Sequence, residues 1–223
     1  MEKYAIIVAG GSGKRMGKGI PKQFIEISGL PILMHTIGKF YDFDNTISIV
    51  VVLSKNEFEY WAKLCVKFNF LIKHTLIEGG ITRFQSVKNA LQIIDNEGIV
   101  AIHDGVRPFV SDFTIKESFA IAGEKGNAVA AVKVKDSVRI VDGNNESKAL
   151  NRSKLVLIQT PQTFQISLIK KAFEIPENES YTDDATVLEA LGETINLIDG
   201  SYQNIKITTP EDLLIANAFL KNG

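Results

Sequence analysis

Residues 5–8 read Ala-Ile-Ile-Val without a polar interruption, and the chain then enters Gly10-Gly11-Ser12-Gly13. An apolar run that does not alternate is a poor fit for a strand with one face in water. It predicts a strand over Tyr4 to Ala9 that is covered on both sides, as in a parallel sheet. The signal returns at Ile47 to Leu53, Phe70 to Ile77, Ile99 to His103 and Ala128 to Val132. Between these runs lie helical patterns: Pro31 to about Phe40, Asn56 to Phe68, Thr82 to Ile94 and Asp112 to Ala122. Pro31 suits a first helical turn, and Thr82 suits an N-cap. Strands alternating with helices of this length imply right-handed crossovers, so the fold class is α/β with a mostly parallel sheet.

The rhythm breaks after Val132. Residues 133–154 alternate polar and apolar around Asp142-Gly143-Asn144-Asn145, which predicts a β-hairpin. This stretch has too few apolar side chains for a core of its own. It reads either as an arm that packs on a second subunit or as a plain surface hairpin. The α/β pattern then resumes. Gln165 to Phe173 and Thr182 to Leu191 read as helices, the second capped by Thr182 and ended by Gly192. Ile195 to Ile198 and Asn204 to Thr208 read as short strands, and Pro210 to Leu220 as a last helix with Thr209 as N-cap. A chain of 223 residues without a linker or repeat is expected to form a single domain, 1–223, that includes the hairpin.

The glycine loop carries the strongest chemical signal. Glycines let the backbone approach a phosphate and turn its N–H groups inward. Lys14, Arg15 and Lys18 add positive charge, and Lys22 follows within reach of the same place. A triphosphate suits this combination. Two familiar loops do not fit. In a P-loop register, Gly13-Lys14 would need glycine at Val8 and a hydroxyl residue at Arg15. A dinucleotide fingerprint starting at Gly11 would need glycine at Met16, and the second strand ends in Leu53-Ser54-Lys55 with no acid for a ribose.

Composition narrows the field further. A net charge of −1 leaves no overall basic surface for nucleic acid, so any phosphate binding must be local. Cys65 is the lone cysteine, which excludes a disulfide within the chain and a cysteine zinc site. Its apolar helical setting makes it filler. No apolar run approaches the roughly 18–20 residues of a membrane helix, and the N-terminus lacks a signal-peptide pattern. A cytoplasmic protein is the expectation.

Ala9-Gly10-Gly11, Gly13, Arg15-Met16 and Pro21-Lys22-Gln23 look like the opening of nucleotidyltransferases that activate sugars. Further segments follow in the order of one family: Glu78-Gly79-Gly80, Arg83 with Ser86, His103 to Pro108, Lys135-Asp136-Ser137, Thr160-Pro161-Gln162, Thr182-Asp183-Asp184 and Asn204 to Thr208. Together the chain resembles the 2-C-methyl-D-erythritol 4-phosphate cytidylyltransferases of the non-mevalonate isoprenoid pathway, over nearly its whole length. The resemblance implies a Rossmann-like sheet, an arm embracing a partner in a homodimer, and a divalent cation, normally Mg²⁺. It implies that Arg15, Lys22 and Lys206 are catalytic cations around the reacting phosphates. It places Ala9, Gly10, Gly11, Ser12 and Gly13 on the triphosphate, and Gly79, Gly80 and Ser86 around cytosine. Asp104 would lie near the ribose and the metal. Ser137, Arg152, Thr160, Arg107 and Lys206 would address the polyol phosphate.

Other readings stay open on the residues alone. Enzymes that use D-ribitol 5-phosphate share most of these pieces, and a non-catalytic nucleotide-binding regulator is the reading from another class. Asp183-Asp184 fits simple helix capping as well as a substrate contact. Arg107 fits a brace on Asp104, and Arg83 a support for the site. His35, His74 and His103 have no metal-ligand spacing, and His103 reads as structural. Without a Ser-His-Asp or Cys-His set, catalysis would rest on positioning and charge neutralisation.

Overall fold

The computed structural model describes residues 1–10, 20–94, 97–143 and 146–221. Strand β1 (Lys3–Val8) is followed by a two-stranded ribbon, β2 (Glu26–Ile27) and β3 (Leu30–Pro31), and by helix α1 (Ile32–Phe43). Alternation continues through β4 (Ser48–Leu53), α2 (Phe58–Lys67), β5 (Thr75–Glu78), α3 (Arg83–Gln92), β6 (Ile99–Asp104), α4 (Asp112–Lys125) and β7 (Asn127–Lys133). An arm of β8 (Val138–Val141) and β9 (Ser147–Leu150) projects next. The chain returns as β10 (Val156–Gln165) and ends through α5 (Ile166–Ala172), α6 (Asp184–Glu189), β11 (Leu197–Asp199) and α7 (Pro210–Lys221).

Seven of these strands form one sheet in the order β11-β7-β10-β6-β1-β4-β5. The pairs β1–β4, β1–β6, β4–β5 and β7–β11 are parallel. Only β10 among the described strands of this sheet runs against its neighbours, β6 and β7. The apolar runs follow from this layering. Ala5, Ile7 and Ala9 point to one face and pack with Leu33 and Phe40 of α1, Trp61 of α2 and Phe119 of α4. Ile6 points to the other, against Phe84 and Val87 of α3, Ile169 of α5 and Leu188 of α6. Successive side chains of a strand face opposite ways, so burying both faces requires an unbroken apolar run.

Helix starts are set locally. The Thr82 side chain accepts from the Gln85 N–H, as its N-cap reading predicts, and Ser111 does the same for Thr114. The helix expected from Thr182 instead begins one residue later. Asp183 is the cap, accepting from the Thr186 N–H, because a carboxylate with Thr186 in return closes a capping box. The strand expected from Phe70 begins only at Thr75. No strand forms over 204–208: the Asn204 and Ile205 N–H groups bond locally to Ser201 and Gln203, and the Ile207 N–H reaches the Val106 carbonyl at 2.9 Å.

Strand β10 was not legible. Gln159, Thr160, Gln162 and Thr163 are polar, and Pro161 sits among them, a composition that argues against a central strand. The proline is tolerated where the β10–β7 register shifts, between Ile158 and Gln162. Three of these buried side chains are employed: Gln162 accepts from the Ala185 N–H and donates to Asp183, Gln159 accepts from the Ser201 N–H, and Thr160 accepts from the Asp104 N–H. The Thr163 hydroxyl is buried without a partner among the described residues. Phe164 anchors the strand with no exposed surface. Phe164→Ala is expected to cost roughly 3–5 kcal/mol, read as a lower urea midpoint with an unchanged slope.

Candidate active site

The carboxyl ends of β1, β4, β5 and β6 lie side by side. Ala9 donates to the Val52 carbonyl, Gly79 to Leu53 and Gly105 to Val8. Strand β1 continues to β4 and β5 on one side and has β6 on the other, so the strand order reverses between β1 and β6. Open α/β sheets bind ligands in the crevice at such a point. Here the crevice is a cavity of about 400 Å³, whose walls include Ala9, Gly10, Lys22, Gly80, Arg83, Ser86, Asp104 and Lys206.

Lys22 reaches this cavity from a 3₁₀ turn, Lys22–Phe24. The turn is held from below. Gln23 is buried and donates to Glu57 at 3.0 Å, and Phe24 stacks on Trp61 at 6.0 Å. On the opposite wall, Gly79 and Gly80 lead into α3. The Ser86 hydroxyl donates to the Thr82 carbonyl at 2.8 Å and accepts the Gly80 N–H at 3.1 Å. These glycines are required by space. A Cβ on Gly80 would lie 2.3 Å from that of Gln85, and one on Gly79 would lie 3.0 Å from the Ser86 oxygen. The result is a narrow, backbone-lined slot with one hydroxyl, suited to a flat base.

Asp104 ends β6 and is buried. Its N–H donates to the Thr160 hydroxyl at 3.0 Å. Its Oδ2 accepts from Arg107 Nε at 3.1 Å and from Lys206 Nζ at 3.0 Å. Burial works against the charge on this carboxylate, but Lys206, Arg83 and Arg107 outweigh it and hold Asp104 well below the usual carboxylate range. Arg107 also donates to the Asn204 carbonyl at 2.7 Å, which ties the Lys206 segment to β6.

Arg83 opens α3, where a cation meets the unfavourable end of the helix dipole. Asp184, fully buried, answers it with a two-pronged pair at 2.6 Å on each prong. Burial opposes the charge on both groups, and the fork of two short bonds keeps the guanidinium protonated above its ordinary value. Asp183 caps α6 and Asp184 holds Arg83, so both acids of this motif act on the protein itself.

The cavity therefore gathers Ala9, Gly10, Lys22, Gly80, Ser86, Asp104 and Lys206. Gly79 and Thr160 stand directly behind it. Arg107 is turned inward as a brace and is not part of the cavity wall. Ser137 and Arg152 lie at the two roots of the arm, outside the wall, and Arg152 donates to the Lys135 carbonyl. Gly11, Ser12, Gly13 and Arg15 lie outside the described residues. Sequence reasoning had no role for Gln23 beyond its motif, nor for Asp184 as the partner of Arg83. The second pair spans 101 positions and leaves no local signal.

A parallel sheet with cations and a base-sized glycine slot at its switch point defines a nucleotide-handling α/β protein. The model of the IspD family, 2-C-methyl-D-erythritol 4-phosphate cytidylyltransferase, matches residues 4–222. A cytidylyltransferase of that name from Azobacteroides pseudotrichonymphae is 47% identical over 98% of this chain and 99% of its own. One from Phocaeicola vulgatus is 43% identical over 99% and 100%. Among solved structures, 4-diphosphocytidyl-2C-methyl-D-erythritol synthase from Anaerococcus prevotii superposes with a TM-score of 0.86 at 30% identity, covering 99% of this chain and 96% of that one. The chain belongs to the 2-C-methyl-D-erythritol 4-phosphate cytidylyltransferase family, and it is a nucleotidyltransferase.

His103 lies under the site. It is fully buried, faces the Phe40 ring edge-on at 5.1 Å, and bonds the Arg107 carbonyl through Nε2 at 3.0 Å. Its Nδ1 has no partner among the described residues. Burial pushes its pKa from 6.5 down to about 4. The unfolded chain thus takes up this proton near pH 6.5 and the folded chain only near 4. The stability His103 contributes is complete above about pH 6.5 and drains as the pH falls to about 4. The melting temperature is expected to fall over that window, and less steeply in His103→Gln. Asp184→Ala should cost about 3 kcal/mol in urea unfolding, the low side for a buried pair because Arg83 keeps an exposed edge.

Proposed function

We infer that this protein transfers CMP from CTP to 2-C-methyl-D-erythritol 4-phosphate in isoprenoid precursor synthesis, releasing pyrophosphate. The observation that carries the mechanism is the convergence of Lys22, Lys206 and Asp104 on the cavity beside the Gly79–Ser86 slot. An oxygen of the acceptor phosphate attacks the α-phosphorus of CTP. A new P–O bond forms, the bond to the bridging oxygen breaks, and pyrophosphate leaves with the electron pair. The nucleophile is already ionised near neutral pH, so no general base is needed. Repulsion between two anions is the obstacle, and fixed cations lower it most where negative charge is densest.

Lys206 is positioned for this by Asp104, which holds the ammonium at 3.0 Å, while Lys22 enters from the other side on its 3₁₀ turn. On the family pattern Arg15 adds a third cation. Ala9, Gly10, Gly11, Ser12 and Gly13 take the triphosphate; Gly79, Gly80 and Ser86 take cytosine. Ser137, Arg152 and Thr160 address the acceptor, and Arg107 acts on it through Asp104 and the Lys206 segment.

A divalent cation such as Mg²⁺ fits this site in one way. No cluster of three or more acidic, histidine or cysteine ligands exists among the described residues. Asp104 Oδ2 is taken by two cations, whereas Oδ1 has no protein partner among those residues. One carboxylate oxygen, with phosphates and water for the rest, suits Mg²⁺. Bound there, the ion would neutralise phosphate charge.

The arm supports a homodimer. Ile140, Val141 and Leu150 are exposed on it, and Val156, Leu157 and Ile158 continue that apolar surface in β10. No helix among the described residues is long and apolar enough to cross a membrane.

Pyrophosphate release with CTP and Mg²⁺ should require methylerythritol 4-phosphate and be absent with ribitol 5-phosphate. The reverse preference would move the protein to ribitol activation, and silence with both would favour a non-catalytic nucleotide binder. Lys22→Ala and Lys206→Ala should each lower kcat by roughly 10²–10³, with circular dichroism unchanged.

A further inference from the structure

Tyr202 sits in the segment that leads to Lys206, yet its ring lies against the root of the arm. The Lys135 ammonium stands 3.5 Å from the ring centroid. The Tyr202 hydroxyl donates to the Lys133 carbonyl at 2.8 Å. Lys133 ends β7 and Lys135 opens the outgoing leg of the arm. The returning leg is tied to the same point, because Arg152 Nη1 donates to the Lys135 carbonyl at 2.6 Å. The two legs of the arm thus meet at Lys135, and the outgoing leg is held there by an aromatic side chain that belongs to neither.

The other side of Tyr202 is rigid. Its neighbour Ser201 is gripped by Gln159, which accepts the Ser201 N–H at 3.2 Å and donates to the Ser201 carbonyl at 2.9 Å. Two residues on, Asn204 donates to the Thr160 carbonyl at 2.8 Å and its own carbonyl is held by Arg107. Lys206 follows, on Asp104. Gln159 and Thr160 belong to β10, in the middle of the sheet. One short segment therefore fixes a reacting-phosphate cation at one end and the angle of the arm at the other.

We propose that Tyr202 is a positioning residue that latches the arm to the Lys206 segment and thereby sets the binding of the acceptor polyol phosphate. Tyr202 is half-exposed and belongs to none of the core clusters, so its contribution to global stability is small. A cation over an aromatic face with one hydrogen bond can still bias the arm between a held and a swinging state by about tenfold. Tyr202, Lys133 and Lys135 do not line the cavity that the proposed function gives to CTP. The acceptor does feel it, if Ser137 and Arg152 contact it as argued above; the inference rests on that reading.

The test is steady-state kinetics with each substrate varied in turn, plus amide hydrogen exchange of residues 135–152. Tyr202→Leu should raise KM for methylerythritol 4-phosphate by about tenfold and leave KM for CTP unchanged, with faster exchange in the arm. Lys135→Met should do the same, and Lys135→Arg, which keeps a cation on the ring, should restore the wild-type value. An equal rise in both KM values, or failure of Lys135→Arg to restore, overturns the latch. Faster exchange with an unchanged acceptor KM also overturns it, by separating the arm from acceptor binding. Wild-type enzyme inactive with this acceptor would instead sink the methylerythritol-phosphate reading, a result independent of the exchange data.

Discussion

A carboxylate buried at the end of β6 is the constraint around which the site is organised. Asp104 has given up water, and an ionised group does so only where other charges replace it. Arg107 and Lys206 share its Oδ2, and Thr160 holds its backbone. These partners come from three places: the loop after β6, the last part of the chain, and β10. The need to neutralise one charge thus draws the C-terminal segment across the sheet edge and delivers Lys206 to the cavity. The small cluster of Ile27, Ile32, Val106, Ile207 and Leu213 packs beneath that crossing and holds it from the apolar side.

The same logic of replaced water explains β10. A strand at the centre of a sheet with glutamine and threonine side chains is costly unless most of its polar groups find partners. Gln162 is spent on α6, Gln159 on the Ser201 turn, and Thr160 on Asp104. Strand β10 acts as a spine that passes position from the α6 start, where Asp184 grips Arg83, to the segment bearing Lys206. The two walls of the cavity are held by opposite ends of one hydrogen-bonded system. The arm then leaves and rejoins the domain beside this spine, which is why its root lies so close to the Lys206 segment.

Much of the fold was readable because its signals are local. Unbroken apolar runs announced β1, β4, β6 and β7, and capping residues such as Thr82 marked a helix start within one residue. Motifs that carry glycine and lysine in order, such as Gly79-Gly80 and Pro21-Lys22-Gln23, pointed to residues that the fold brings to or beside one cavity. What escaped shares one cause. The polar strand β10, the shift of the cap from Thr182 to Asp183, the absence of a strand at 204–208 and the role of Asp184 all depend on partners distant in sequence. Arg107 shows the same limit. Its side chain suited either a ligand contact or a brace, and only the Asn204 carbonyl and Asp104 at its two ends made it a brace.

The sequence by itself determined a two-face-buried parallel α/β sheet, the glycine turns and the set of cations, because backbone geometry and burial period are written in neighbouring residues. Tertiary structure alone decided which of those cations meet, and which acids serve the protein rather than a ligand. A charge is placed by the charges it must balance, and in this chain those lie up to 101 positions away.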